Sequence, residues 1–248
     1  MIVDSLTYVG KSAFGPKATA DEIVSRLDDL YVDRAIVCPF KPQGYDLRAA
    51  NETVADAVRR YPDRLVGFAR VDPWGHEQAI RDLDRAHREL GLQGVFLHPW
   101  EETFPIAGPE VDPVIRFAAE RGLPVLIAAG YPWLSEGLQV GDLASRFPSV
   151  NFVATNGCQI NISGLGTFDA DFALARNPNL VIQTAGIYRQ DFLEEVVARY
   201  GVGRLLYASN FPLMDPGLEI LRVKLGAFDD PGKEAILGGN ALAWIMRS

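Results

Sequence analysis

Histidine is scarce in this chain, with three among 248 residues: His76, His87 and His98. A stable divalent-metal site draws three or four ligands from His, Cys, Asp and Glu, with histidine the commonest nitrogen donor, so the supply of metal ligands is thin from the outset. Cysteine is scarcer still. Cys38 and Cys158 are too few for a disulfide framework and lack metal-finger spacing. No cluster of Lys and Arg offsets the formal net charge of −8. That balance argues against nucleic acid and anionic membranes as partners, since both require concentrated positive charge. No apolar run is long enough for a membrane span, and Met1-Ile2-Val3-Asp4 lacks the basic and apolar regions of a secretory leader. A cytoplasmic protein is expected. Internal repeats, low-complexity tracts and Gly/Pro/Ser-rich linkers are missing too, so a single domain over residues 1–248 is expected.

Against these absences stands a regular alternation of short apolar runs with longer amphipathic ones, each switch marked by Gly, Pro, Asn or Asp. The pattern predicts strands near residues 1–3, 35–38, 65–71, 94–97, 125–128, 151–154, 180–183 and 205–208. Helices are predicted near 20–30, 48–61, 77–90, 111–121, 140–147, 168–176, 192–200, 218–227 and 233–245. Thr19 or Asp21 and Asp46 read as helix starts, and Gly91, Gly122 and Gly201 as helix ends. Eight strand–helix units in a chain of this length predict an α/β protein of the (β/α)8 TIM-barrel class. A doubly wound open sheet is the alternative, weakened because no Gly-rich fingerprint follows the first strand.

In a parallel barrel the carboxyl ends of the strands share one pocket. The last strand ends Tyr207-Ala208-Ser209-Asn210-Phe211-Pro212, and Pro212 cannot donate to a sheet, so Ser209 and Asn210 stand at that edge. Ser209 could equally be a turn residue. The other edge positions are Leu6, Tyr8, Cys38, Lys41, Arg70, Asp72, His98, Ala128, Asn156 and Cys158. His76 and His87 fall at the start and on the face of the third predicted helix and are expected in solvent.

Seven phrases in order resemble the amidohydrolase-related family, the barrel hydrolases and decarboxylases of amidohydrolase family 2. The first strand of that family ends D-x-H-x-H, where this chain reads Asp4-Ser5-Leu6-Thr7-Tyr8. Val66 to Pro73, VGFARVDP, matches its third strand, and Gly94 to Pro99 its fourth-strand G-x-x-x-H-P. Leu123 to Gly130, Phe152 to Gly157 and Arg204 to Pro212 match the fifth, sixth and eighth strands, and Leu237 to Ala241 the last helix. The resemblance implies a barrel carrying metal ligands, an acid/base and a water-orienting carboxylate. At those positions stand Leu6, Tyr8, Ala128, Asn156 and Asn210, a set too poor in lone pairs and charge to hold Zn²⁺.

The expectation is therefore a barrel that has lost its metal: no metal, no cofactor, and a small polar or carboxylate ligand at the mouth. The expected reaction is metal-independent hydrolysis or a lyase step. His98 is the expected acid/base, because it is the pocket residue whose unperturbed pKa lies near neutrality. Tyr8, Asn156 and Asn210 are expected to donate hydrogen bonds to a carbonyl or oxyanion. Lys41, Arg70, Asp72, Ser209 and Trp100 are the expected substrate contacts, although Asp72-Pro73 is also a turn signal. A non-catalytic binding protein, or a metal-dependent hydrolase with other ligands, are the alternatives. The aromatic stretches 100–104 and 131–133 could roof the mouth or form the contact of a homodimer.

Overall fold

Side chains along the buried strands alternate between two apolar layers, and that alternation builds the molecule. The structure is a computed structural model, and it describes residues 1–160 and 164–246. Its strands are β1 (Val3–Lys11), β2 (Lys17–Ala18), β3 (Arg34–Pro39), β4 (Leu65–Gly67), β5 (Ala69–Arg70), β6 (Val95–Leu97), β7 (Val125–Ile127), β8 (Phe152–Ala154), β9 (Leu180–Gln183) and β10 (Leu205–Leu206). The short β2 folds back antiparallel on the end of β1, and the other pairs are parallel, in the orders β1-β3-β4 and β5-β6-β7-β8-β9-β10.

Two seams join these runs into an eight-stranded barrel. At the first, β4 and β5 are one barrel strand broken at Phe68: the Phe68 amide donates to Val37 (3.0 Å), and the Ala69 amide donates to Gly94 on the other side (2.9 Å). The Phe68 ring lies where a side chain at residue 94 would begin, 2.3 Å from an ideal Cβ, which is why a glycine stands there. The second seam closes the barrel. Ser5 donates to Tyr207 (3.0 Å), Asn210 to Leu6 (3.0 Å) and Tyr8 to Phe211 (2.8 Å).

Inside the barrel lie Ile36, Val66, Phe96, Leu126, Val153, Val181 and Leu206, one from each successive strand. Their neighbours in sequence, such as Val95 and Leu97, or Val125 and Ile127, face the helices instead. This double burial accounts for the unbroken apolar runs of the sequence. Strand parity then decides what the mouth contains. Residues 38, 70, 98 and 128 share the inward parity of 36, 68, 96 and 126, whereas Ser209 follows Ala208, an inward residue, and faces out.

The helices α1 (Ala20–Asp29), α2 (Leu47–Arg60), α3 (Glu77–Arg88), α4 (Pro99–Glu102), α5 (Asp112–Arg121), α6 (Gly137–Arg146), α7 (Gly164–Arg176), α8 (Gln190–Tyr200) and α9 (Pro216–Leu225) follow the strands in turn. Thr19 and Glu22 form a reciprocal capping box on α1, Asp46 caps α2, and Gly122 and Gly201 end α5 and α8 at positive φ. Three expectations are corrected. The first strand runs to Lys11 rather than ending at residue 3, so Leu6 and Tyr8 are strand residues and not loop residues. The four-residue α4 was not anticipated. The last helix is not one piece: α10 (Asp230–Glu234) and α11 (Asn240–Trp244) flank a π-type segment, Ala235–Gly239, whose Ile236 carbonyl accepts from the Tyr207 amide of the barrel (2.9 Å). No helix among the described residues is long and apolar enough to cross a membrane.

Candidate functional site

Arg70 ends β5 pointing into the barrel mouth, and its side chain is 1% exposed. Asn51 of α2 fixes its backbone from both sides, donating to the Arg70 carbonyl and accepting from its amide, each at 2.8 Å. The guanidinium is answered by the turn that follows β6. Nη2 donates to Glu102 Oε1 (2.8 Å) and to Glu101, Nε donates to Glu102 Oε2 (3.3 Å), and Nη1 donates to the Pro39 carbonyl (3.3 Å). Lys41 lies 3.7 Å from Glu102 Oε1, donates to the Glu101 carbonyl, and covers the Tyr45 ring. Two cations and two carboxylates therefore neutralise one another in a buried space, which is the condition for keeping such charges out of water.

His98 opens α4 as its N-cap. The Glu101 amide is shared between the His98 carbonyl (3.1 Å) and ring Nδ1 (3.3 Å), while Nε2 lies 3.8 Å from Glu101 Oε1. Nδ1 thus accepts, and Nε2 carries the proton. Burial, followed by the positive charges of Arg70 and Lys41, holds His98 well below the usual histidine range. The ring is neutral at pH 7. The expectation of a proton shuttle rested on the unperturbed value, which burial beside a guanidinium lowers. The ring stands edge-on to Phe96 (5.8 Å) and tilted against Tyr131 (5.5 Å), and Trp100 stacks on Tyr131 at 5.5 Å and 10°. The mouth above His98 is covered by these two aromatics. Tyr8 stacks on Phe40 (4.9 Å) and meets the edge of Phe96, and burial raises its phenol well above the ordinary range.

The opposite rim is built of neutral amides. Asn156 and Asn210 both adopt left-handed backbone, φ +52° and +55°, a conformation asparagine tolerates better than most residues. Asn210 Nδ2 donates to Asn156 Oδ1 (3.2 Å), Asn156 Nδ2 donates to Thr155 Oγ1 (3.0 Å), and the buried Asn210 Oδ1 has no partner among the described residues. Among the described residues no hydrogen bond links this pair to His98.

Two expected substrate contacts belong elsewhere. Asp72 caps the turn Pro73–Gly75, its Oδ1 accepting from the Trp74 amide at 3.0 Å, as its turn chemistry allowed. Ser209 is fully buried on the outer side of the barrel: its hydroxyl accepts from Phe211 (3.0 Å) and its amide donates to Asp4 Oδ1 (2.9 Å). Cys158 is buried, with its thiol pushed up to about 12 by burial alone, and makes no nucleophile. Sequence reasoning offered Tyr131 as part of an aromatic roof but gave no role to Glu101, Glu102 or Asn51. A signal existed for the two glutamates, because His98-Pro99 followed by two acidic residues reads as a helix start.

The fold and mouth together define a (β/α)8 barrel with a polar cluster at the carboxyl ends of its strands. The amidohydrolase family model matches residues 43–245, and the chain belongs to that family. In overall structure it is similar to 5-carboxyvanillate decarboxylase of Novosphingobium aromaticivorans, solved with manganese (16% identity, TM-score 0.78, covering 100% of this chain and 96% of the other). It is likewise similar to 2,6-dihydroxybenzoate decarboxylase from Rhizobium (14%, TM-score 0.77, 98% of each chain). A third is 4-oxalomesaconate hydratase from Rhodopseudomonas palustris (17%, TM-score 0.72, 99% and 96%). Among the described residues no three His, Cys, Asp or Glu side chains are grouped to hold a metal ion. Leu6, Tyr8 and Ala128 turn an apolar and aromatic surface inward, packed with Phe40 and Phe96.

Proposed function

We propose that this chain is a metal-independent member of the amidohydrolase family, acting at its barrel mouth on a small carbonyl compound that carries a carboxylate, by a lyase-type or hydrolytic step. The observation that carries the reading is the state of His98: neutral, with Nδ1 spent on the turn and the Nε2 proton held beside a carboxylate. A neutral imidazole of this kind polarises a carbonyl rather than shuttling a proton. In this reading His98 Nε2–H and the Tyr8 hydroxyl hold the oxygen on which negative charge develops. The Oδ1 of Asn210, without a partner among the described residues, takes a hydrogen-bond donor of the substrate. Lys41 and Arg70 fix the charge of the carboxylates.

The donor role and the shuttle role separate by mutation. Once a substrate is found by screening small hydroxy- and keto-carboxylates, His98→Ala is expected to lower kcat by about 10²–10³, and His98→Gln, which keeps an N–H, by distinctly less. Equal losses for both variants would restore the shuttle; full turnover in both would remove His98 from the chemistry. Elemental analysis of the purified protein is expected to find far less than one transition metal per chain, and a stoichiometric metal would restore the hydrolase with other ligands. A binding protein without turnover is the second reading. The observation favouring it is that the tyrosine and cysteine of the mouth, Tyr8 and Cys38, are both pushed up, away from neutrality, while His98 is pushed down.

A further inference from the structure

Arg70 holds two carboxylates that differ in how firmly they are bound. Glu102 meets the guanidinium through both oxygens, lies near Lys41 as well, and its side chain is 2% exposed. Glu101 reaches the same Nη2 through one oxygen, and its side chain is 15% exposed. It projects from a single four-residue turn that ends at Thr103 in left-handed backbone, φ +59°. Directly beside it stand the parallel rings of Trp100 and Tyr131, with Trp100 half exposed. A buried guanidinium is thus approached from a solvent-reaching lip, past two flat aromatic faces, by a carboxylate hydrogen-bonded to it through one oxygen, its other oxygen 3.8 Å from His98 Nε2.

We propose that the Nη2 side of Arg70 is a carboxylate subsite for the ligand, that Glu101 is its resident stand-in, and that a small aryl carboxylate binds by displacing Glu101 into solvent. The inference rests on reading the mouth as a ligand site and adds the subsite and the ligand class. The exchange conserves buried charge: one carboxylate leaves Arg70 and one arrives, while Glu102 and Lys41 keep their pairing. Bidentate geometry suits a guanidinium to a planar carboxylate, and Trp100 and Tyr131 supply faces for an attached ring. Movement of the turn also frees Lys41 from the Glu101 carbonyl, giving the incoming anion a second cation.

The test is titration of the whole protein with benzoate, and with benzamide as the uncharged counterpart, followed by tryptophan fluorescence and by calorimetry. Glu101→Gln is compared with the native chain, and its thermal melt establishes that it folds. Benzoate is expected to bind both saturably, about tenfold more tightly to Glu101→Gln if the native stand-in is seated roughly nine-tenths of the time. Benzamide is expected to bind neither. Equal benzoate affinity for the two proteins, equal binding of benzamide and benzoate, or no benzoate binding to Glu101→Gln would each overturn the subsite. Failure of the catalytic reading looks different: benzoate binds and Glu101→Gln tightens it, yet no substrate turns over.

Discussion

On the side of β5 and β6 the barrel mouth holds four charged side chains gathered about one guanidinium, while on the side of β8 and β10 it holds two asparagines bonded to each other. On the first side every residue is explained by a side-chain partner. On the second, both residues are explained by the backbone, since Asn156 and Asn210 sit where the chain turns through left-handed conformation. Polar residues at equivalent rims of one barrel are therefore kept for different reasons. The proposed ligand chemistry rests on the charged side, while the amide side shapes the rim and offers one acceptor without a partner among the described residues.

The largest expected effect tests the charged side. Arg70→Met leaves Glu102 buried beside Lys41 alone and is expected to cost about 3–5 kcal/mol in denaturant unfolding, the penalty for stranding a buried charge. Adding Glu102→Leu should recover a good part, because an apolar pair of similar volume removes the stranded charge. A cost below about 1 kcal/mol, on the scale of exposed ion pairs, would show that the cluster is wetter than its burial implies.

A second effect of similar scale lies at the seam joining the two sides. Asp4 is fully buried on β1, and its Oδ1 accepts from Leu6 (3.2 Å) and Ser209 (2.9 Å), while Oδ2 has no partner among the described residues. Burial raises its pKa to about 7, against the opposing hydrogen bonds from Ser209 and Leu6, with Glu219 adding to the rise. An unfolded aspartate titrates near 4, so between about pH 4 and 7 the native state binds the extra proton. Stability then falls as pH rises through that window, by roughly 4 kcal/mol in total, and levels off above it. Asp4→Asn should flatten most of this slope in urea unfolding at pH 5, 6, 7 and 8. Buried Glu219, also raised, leaves a remainder of the same sign. An unchanged slope would remove Asp4 as its source.

The barrel was legible in the sequence because strands buried on both faces write themselves as apolar runs, and because Gly122, Gly201, Thr19 and Asp46 mark helix ends by local chemistry. Tyr8, Arg70, His98 and Ala128 were expected at the mouth because they stand at or near the carboxyl ends of predicted strands, and strand parity is what turns such residues inward. Ser209 fails by the same parity, a one-residue difference that reverses a side chain. The cluster on Arg70 was not legible, because ion pairs across 31 and 32 residues leave no periodic trace. Nor was the depressed basicity of His98, which depends on burial and on a charge brought in by a different strand.

The smallest effect tests the amide side, where the claim is that backbone and not partner selects the residue. Asn210 is held by its own main chain, donating to Leu6 (3.0 Å) and accepting from Leu213 (2.9 Å), and both bonds survive any side-chain change. Asn210→Ala removes one neutral side-chain hydrogen bond and puts in its place a residue less tolerant of φ +55° than asparagine, each worth about 1 kcal/mol. Asn210→Gly loses the same hydrogen bond and relieves the backbone. The glycine variant is therefore expected to be the more stable of the two by roughly 1 kcal/mol, read as a shift in denaturation midpoint at unchanged slope. The same order should hold for Asn156→Gly and Asn156→Ala. Were alanine to equal glycine at both positions, conformation would not be the reason for asparagine, and the bond between the two amides would become a feature kept for a ligand.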